Sequence, residues 1–308
     1  MLSQSTLIER FSKGAGSGSA SNVFVEEDVI YSYGHHFPLA VRQDWGGGIR
    51  YLINGDRYSS STASHQSQCI RSLTPNVQIP FSALAAAGLA DSSLPKRSLR
   101  IAACRDDEYH RTCNHCGRDV EHGVDGSDDP KRWNWYHAPD CTPLCAEADG
   151  ETASHHVLGA VVLAHEDRFF LSSIDEAENW RTRAYFLCRL PRAVSSVDDA
   201  YEALVPDEVR TARAAGIEVR RQGDIFAIAT ARKTRQIRAA TQRHLQLFDT
   251  THVATEARLN GAVYVRGTLR HLPEDRPSQH GMLRLGTSWW IVVKNLALGS
   301  WNAVGTVD

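Results

Sequence analysis

Four cysteines and one histidine in the middle of the chain have the spacing of a metal site. Cys113 and Cys116 are separated by two residues, and His137, Cys141 and Cys145 follow downstream. Two thiolates with this spacing can bind one ion from a tight turn, and a structural Zn²⁺ takes four Cys or His ligands in a tetrahedron. We expect Cys113, Cys116 and Cys141 to bind Zn²⁺, with His137 as the preferred fourth ligand and Cys145 as its alternative.

The same spacing favours a structural Zn²⁺ over a catalytic one. A catalytic zinc keeps one coordination position open and commonly has a general base nearby. Zinc deaminases combine H-x-E with P-C-x2-C, whereas here Pro139-Asp140-Cys141 is followed by a three-residue spacer and no H-x-E precedes it. The chain has seven cysteines, an odd number, and its first residues lack a hydrophobic signal core. We therefore expect reduced thiols in a cytoplasm.

A second group of reactive side chains lies near the N-terminus. Hydroxyls, imidazoles and a carboxylate are concentrated in one stretch: Tyr31, Tyr33, His35, His36, Asp56, Tyr58, Ser61, Thr62 and His65. Such groups at the edge of a sheet suit acid–base chemistry or phosphate binding, and His65 is the candidate base. The alternative is a capped helix that follows a hairpin, and the absence of a G-x-S-x-G nucleophile motif favours this alternative.

These two regions carry a resemblance. The pattern YSYG-x-x-F-P-x-A, followed by N-x-x-x-YS-x-x-T-x-x-HQ, resembles a segment of uncharacterised proteins from bacteriophages and related mobile elements. The C-x2-C-G-R…H…C knuckle is similar to knuckles of phage proteins of the actinobacterial type. The resemblance implies a phage setting in a bacterial host, and with it a location in the host cytoplasm, but it implies no activity.

A third group lies in the C-terminal strands. His252, Glu256 and His271 fall on neighbouring predicted strands, and His280 begins the next loop. By strict alternation Glu256 shares the face of His252, so the four side chains could form an open metal site. A histidine on the apolar face of a strand is more commonly a satisfied core residue, and this is the alternative.

Basic residues crowd one short stretch near position 235. The segment ARKTRQIRAATQRHLQLF contains no acidic residue and has helical periodicity, so it predicts a helix with one basic face. Such a face can lie on phosphates, although a solvated helix face is the commoner explanation. The candidate nucleic-acid-binding residues are Arg220, Arg221, Arg232, Lys233, Arg235, Arg238 and Arg243.

Composition narrows the class of protein. The 308 residues include 34 Lys and Arg against 36 Asp and Glu, so a basic surface must be local and a globally basic DNA-coating protein is excluded. Hydrophobic residues make up 42% of the chain, enough for a core, and no run approaches the roughly 18 apolar residues of a membrane span. We therefore expect a globular protein without a membrane partner.

The pattern of elements predicts an α+β fold with mostly antiparallel sheets, a few short helices and a zinc-knuckle insertion. Parallel βαβ alternation is not evident. We divide the chain into a flexible leader and linker (1–22), a small β-hairpin and helix module (23–100), the zinc-knuckle segment (101–156), and an α+β domain that ends in a β meander (157–308).

Three functions follow from these patterns. The first is a non-catalytic, zinc-stabilised, nucleic-acid-binding protein of phage or mobile-element type. The second is a metal-dependent enzyme that uses the histidines and Glu256 of the C-terminal strands. The third is a structural or assembly protein whose sheets self-associate.

Overall fold

The computed structural model has an α+β fold with mostly antiparallel sheets, as the sequence predicts. It describes residues 2–44, 48–56, 58–91, 93–104, 160–175, 184–272 and 281–302, together with four strands between positions 105 and 159. Within these residues, no helix is both long enough and apolar enough to cross a bilayer.

The N-terminal sheet has six strands in sequence order. They are β1 (Ser17–Ala20), β2 (Val23–Glu26), β3 (Val29–Ser32), β4 (Gly34–Asp44), β5 (Ile49–Asn54) and β6 (Asn76–Ile79). The first five pair antiparallel, whereas β6 pairs parallel with β5 through helix α2 (Ser60–Ser72). One βαβ unit is therefore present, although parallel βαβ alternation is not evident in the sequence.

The central sheet has the order β23-β16-β15-β14-β9. Its strands are β9 (Arg100–Cys104), β14 (Val161–His165), β15 (Arg168–Asp175), β16 (Ala184–Arg189) and β23 (Gly299–Asn302). The short strands β7 (Ala90–Asp91) and β8 (Leu94–Pro95) pair with each other. So do β10 (Glu108–Cys113) with β13 (Thr152–Val157), and β11 (Glu121–Gly123) with β12 (Asn134–Tyr136).

The N-terminal and central sheets pack face to face between helices. Because side chains alternate along a strand, Leu52 packs into the core between the sheets while Ile53 packs toward helices α1 (Gln4–Ser12) and α2. In the same way Leu163 points into the shared core and Val162 points toward helix α4 (Val197–Ala203). Each of these two sheets therefore carries buried apolar side chains on both of its faces, and helix α3 (Phe81–Ala86) contributes Phe81 and Leu84 to the shared core.

The C-terminal sheet has the order β17-β18-β22-β21-β20-β19. Its strands are β17 (Val219–Gln222), β18 (Ile225–Ala229), β19 (Gln242–Gln246), β20 (His252–Leu259), β21 (Val263–His271) and β22 (Leu283–Lys294). The strands β20, β21 and β22 pair antiparallel in sequence order and form a meander. Ile225 of β18 clusters with Ala254 and Ala257 of β20, so the sheet curls over its own inner face, while helix α5 (Asp207–Ala214) covers part of the outer face.

Two glycines permit the bend of this sheet. Gly267 on β21 and Gly286 on β22 are register partners, and both have left-handed φ angles, of 86° and 70°. The register shifts on both sides of Gly267. A side chain at Gly267 would meet Cβ of Thr255 at 3.2 Å, whereas a side chain at Gly286 would meet nothing within 4 Å.

This pair gives a matched prediction. We expect Gly286→Ala to lower the free energy of unfolding by about 1 kcal/mol, the cost of left-handed backbone for an L-residue. Gly267→Ala should cost about 2 kcal/mol or more, because the contact with Thr255 adds to the same backbone penalty. Urea denaturation of both variants measures the difference, and equal losses would contradict this account of the bend.

Candidate functional site

Most of the predicted zinc ligands lie outside the described residues. Cys116, His137, Cys141 and Cys145 are in this group, and so is His280. Cys113 ends strand β10, opposite Thr152 of β13. In the part of the chain that the structure describes, no group of three or more His, Cys, Asp or Glu side chains could hold a metal ion.

The polar side chains between β5 and α3 form hydrogen bonds within the protein. Asn54 donates to the hydroxyl of Tyr58 at 3.0 Å, and Gln66 donates to the backbone oxygens of Asn54 and Asp56 at 2.9 and 2.7 Å. Ser59 caps helix α2, and its hydroxyl accepts a hydrogen bond from the amide of Thr62. The side chains of this motif therefore satisfy one another and the backbone.

Asn54 and Asp56 also supply the missing cap of helix α3. Pro80 at its N-cap offers no side-chain acceptor. Instead, Oδ1 of Asn54 accepts from the amide of Phe81 at 3.2 Å, and Oδ2 of Asp56 accepts from the amide of Ser82 at 2.8 Å. Burial raises the pKa of Asp56, although hydrogen bonds from Ser82 and Phe81 oppose the shift. This carboxylate holds a helix in place and is 4% exposed, so it is poorly placed to act on a substrate.

His65 links three elements through its two ring nitrogens. Its Nε2 lies 3.1 Å from Nε2 of the side-chain amide of Gln4 on α1. Its Nδ1 lies 2.8 Å from Oγ of Ser32 on β3. Because an amide nitrogen can only donate, Nε2 accepts and Nδ1 carries the proton donated to Ser32. Burial lowers the pKa of His65, which keeps this neutral form. Ser32 is fully buried, so the pair does not present a nucleophile to solvent.

Two of the C-terminal histidines do come together. His252 and His271 are register partners on β20 and β21, their ring centroids are 4.8 Å apart, and both are buried. Nδ1 of His252 lies 3.3 Å from Oδ1 of Asp224 and 3.1 Å from Oγ1 of Thr250. The pair is therefore part of a buried polar cluster at one end of the sheet.

Glu256 does not share the face of His252, which corrects the prediction from strict alternation. The register between β20 and β21 shifts between Ala254 and Glu256, where β20 advances by two residues and β21 by three, and the alternation of faces along β20 is broken at this irregularity. Ala254 and Ala257 consequently face the inner core, while Glu256 forms an ion pair with Arg266 on the outer face. This irregularity separates this carboxylate from the histidine pair.

The predicted basic helix is wrong. Residues Thr234–Gln236 form a single 3₁₀ turn, and Gln242–Gln246 form strand β19, which pairs with β20. An extended chain is favoured over the helix that the periodicity predicts, because the extended chain adds an edge strand to the sheet and places Leu245 and Leu247 in the inner core. Ile237, which is 1% exposed, packs on the outer face beside Trp289.

Arg258 and Trp289 fasten this irregular segment to the sheet. Arg258 donates to the backbone oxygens of Thr234 and Ile237 at 2.9 and 2.8 Å and to Oγ1 of Thr241 at 2.8 Å. The indole nitrogen of Trp289 donates to Oγ1 of Thr234 at 2.9 Å. The segment is therefore hydrogen-bonded to the sheet at three residues, Thr234, Ile237 and Thr241. These bonds fix the backbone that carries its outward-facing side chains.

The cations of the segment form a surface that we call the basic strip. Its members are exposed, and none forms an ion pair with any residue that the structure describes: Arg232, Lys233, Arg235, Arg238 and Arg243. Several surface arginines elsewhere do form ion pairs, for example Arg192 with Asp199 and Arg210 with Asp207. The strip is thus a local excess of uncompensated positive charge.

Arg220 and Arg221 do not belong to this strip. They lie on β17, at the opposite edge of the sheet from β19. Arg220 pairs with Glu218 at 2.7 Å and lies over the ring of Trp290, and Arg221 donates to the backbone oxygen of Gly223 at 2.7 Å. Their guanidinium groups are engaged within the protein.

Aromatic rings lie beneath arginines across the outer face. Arg258 and Arg266 lie 5.4 and 4.8 Å from the ring centroid of Trp289, and Arg232 lies 5.7 Å from that of Tyr264. Trp289 and Tyr264 are only 2% and 3% exposed, so they support guanidinium groups and cannot stack on a nucleobase. The sequence contains a signal for a buried ring on the outer face. Trp289 and Trp290 are adjacent on one strand, so their side chains must lie on opposite faces of the sheet.

The pKa of His65 gives a prediction about stability. Because its folded pKa is lowered from 6.5, the unfolded chain binds a proton more readily, so stability is greatest above about pH 6.5 and falls as the pH drops toward the folded pKa. At pH 8, His65→Asn should cost about 1–3 kcal/mol, since Ser32 and Gln4 lose their partner. The gap in unfolding free energy between wild type and variant should narrow at pH 5.

Urea denaturation at both pH values measures this gap. His36→Asn removes an exposed imidazole from the same region and serves as the control. A gap for His65→Asn that is the same at pH 5 and pH 8 would contradict the assignment of a neutral, linking histidine.

Comparison of the chain with protein-family models, with curated proteins and with solved structures gives no match. No relative therefore supplies a function for the basic strip, the histidine pair or the cysteine segment. Their chemistry has to be inferred from their own residues and surroundings.

Proposed function

We propose that this protein binds nucleic acid through the basic strip and that it is not an enzyme. The observation that carries the proposal is the set of five exposed cations without a carboxylate partner among the described residues. The whole chain has a net charge of −2, so this excess is local. Exposed cations on a fixed support release counterions from phosphates, which is the main source of affinity for nucleic acid.

The support under the strip favours contacts with phosphates over contacts with bases. Arg258 and Trp289 hold the loop, and the nearest large rings are buried beneath guanidinium groups. Phosphate contacts position a protein on nucleic acid without reading its sequence. We therefore expect this surface to bind with little sequence preference and with a strong dependence on salt.

The dependence on salt gives a quantitative test. Five phosphate contacts predict a slope of log affinity against log salt of about −4.5 on duplex DNA and about −3.5 on a single strand. The triple variant Lys233→Gln, Arg235→Gln, Arg238→Gln should reduce the duplex slope to about −2 and weaken binding at least tenfold at roughly 0.1 M salt. Fluorescence anisotropy with a labelled duplex and a labelled single strand measures both quantities.

A matched control removes the same charge elsewhere. Arg10, Lys13 and Arg71 are exposed on or beside helices α1 and α2, and changing all three to Gln should leave the slope and affinity nearly unchanged. If the two triple variants lose affinity and salt dependence equally, the effect is one of net charge and not of the basic strip. The proposal fails if the wild type does not bind at low salt, or if its binding is insensitive to salt.

We further propose that the cysteine segment binds one structural Zn²⁺. The support is the ligand spacing of Cys113, Cys116, His137 and Cys141, with Cys145 as the alternative to His137. Structural zinc stabilises segments that cannot bury enough apolar area on their own, which fits the polar composition of residues 105–150. A phage or mobile-element origin is consistent with the resemblance of this knuckle.

Metal content tests this proposal. We expect about one zinc per chain after dialysis, and its loss in Cys116→Ser and in Cys141→Ser. Comparison of His137→Asn with Cys145→Ser identifies the fourth ligand, because only the ligand's removal should weaken retention against a chelator. Cys104→Ser, outside the quartet, is the control. A wild-type protein without zinc would contradict the assignment.

A further inference from the structure

Two buried histidines lie side by side at one end of the C-terminal sheet. His252 begins β20 and His271 ends β21, and they form the last register pair of these two strands. Their ring centroids are 4.8 Å apart, and the two residues are 3% and 8% exposed. Burial disfavours a charged imidazole, and two imidazolium rings at this distance repel each other. The closed sheet therefore accepts one proton on this pair more readily than two.

Hydrogen bonds indicate which ring carries the first charge. The Oγ1 hydroxyl of Thr250 donates to the backbone oxygen of Leu247 at 2.8 Å. It has no second proton to donate, so Nδ1 of His252, which lies 3.1 Å away, is the donor to Oγ1. The same Nδ1 lies 3.3 Å from Oδ1 of Asp224 on the β17–β18 turn. A nearby carboxylate favours the imidazolium form, so the first proton is best accommodated on His252.

The other charged groups described around the pair add little negative charge. Lys294 at the end of β22 lies 3.9 Å from Oδ2 of Asp224, so it competes with the imidazoles for that carboxylate. Asp249 on the β19–β20 turn and Arg270, next to His271, are both exposed to water. Water screens exposed charges, and these two have opposite signs, so neither compensates a second positive charge on the pair.

The histidine pair lies between two backbone hydrogen bonds that close a turn. The β19–β20 turn spans residues 247–251, and the amide of Leu247 donates to the backbone oxygen of His252 at 2.9 Å. From the neighbouring strand, the amide of Leu272 donates to the backbone oxygen of Thr251 at 2.7 Å. Separation of the two rings would lengthen both bonds, and the turn would then be free to leave the sheet.

We propose that His252 and His271 form an acid-sensitive latch on the C-terminal sheet. With one proton or none on the pair, the rings stay together and the β19–β20 turn is closed. A second proton separates the rings, so the turn and the adjoining ends of β20 and β21 open while the rest of the sheet stays folded. The latch is independent of the basic strip and of the cysteine segment.

The direction of the effect follows from proton binding. In the open form both imidazoles are solvated, and each binds a proton near about pH 6.5. The closed form binds its second proton only at lower pH, so the open form gains population as the pH falls below about 6.5. One additional proton changes the equilibrium between the two forms by up to about tenfold for each pH unit.

Hydrogen exchange of the full chain at pH 7.5 and pH 5 tests the latch. Protection factors, which correct for the intrinsic effect of pH, should fall at least about tenfold at the amides of Leu247 and Leu272. The amide of Leu190, which donates to the backbone oxygen of Phe169 in the central sheet, is the control and should lose less protection. Equal losses at the three amides indicate global unfolding and overturn the latch, as does unchanged protection at Leu247 and Leu272.

Two substitutions separate the latch from a general effect of acid. His271→Gln and His252→Gln each leave one imidazole, so a second proton cannot bind, and the loss of protection between pH 7.5 and pH 5 should shrink at least about threefold. His36→Gln removes an exposed imidazole from the N-terminal sheet and should leave the loss unchanged. Circular dichroism confirms that each variant is folded at pH 7.5. A loss as large in both latch variants as in the wild type refutes the latch.

NMR titration of the histidine rings in the wild type needs no substitution. We expect the pair to titrate in two steps separated by more than about one pH unit, because the first charge opposes the second. Two rings that titrate together would contradict the latch, even if neither variant folds.

Discussion

Adjacent tryptophans on one strand impose the constraint on which the C-terminal half of the molecule depends. Trp289 and Trp290 must point to opposite faces of β22, and both indoles need cover from water. Trp290 packs into the inner core of the curled sheet. Trp289 is covered by Ile237 and by the guanidinium groups of Arg258 and Arg266, and this cover holds the loop that carries the basic strip.

A different constraint organises the N-terminal half, namely that buried polar groups need partners. Asn54, Asp56 and Gln66 are nearly fully buried and lie where β5, α2 and α3 meet. Each of these side chains forms a hydrogen bond with a backbone amide or carbonyl group that would otherwise lack a partner. The motif that resembles catalytic chemistry in the sequence therefore acts as the joint between a sheet and two helices.

The sequence predicted the elements better than their positions. The α+β class and the mostly antiparallel sheets follow from the pattern of elements, and the structure has both. Two errors share one cause. The helix predicted around Arg235 and the placement of Glu256 both assumed an ideal local period, whereas an edge strand and a β-bulge satisfied the sheet instead.

What the sequence determined by itself was the α+β class, the local concentration of cations around Arg235 and the ligand spacing from Cys113 to Cys145. These properties depend on composition and on short spacings along the chain. Only the tertiary structure decided that Arg258 fixes the loop and that Glu256 pairs with Arg266 away from His252. Such contacts join residues far apart in the chain, and their energies depend on burial and on opposing partners, which no local pattern contains.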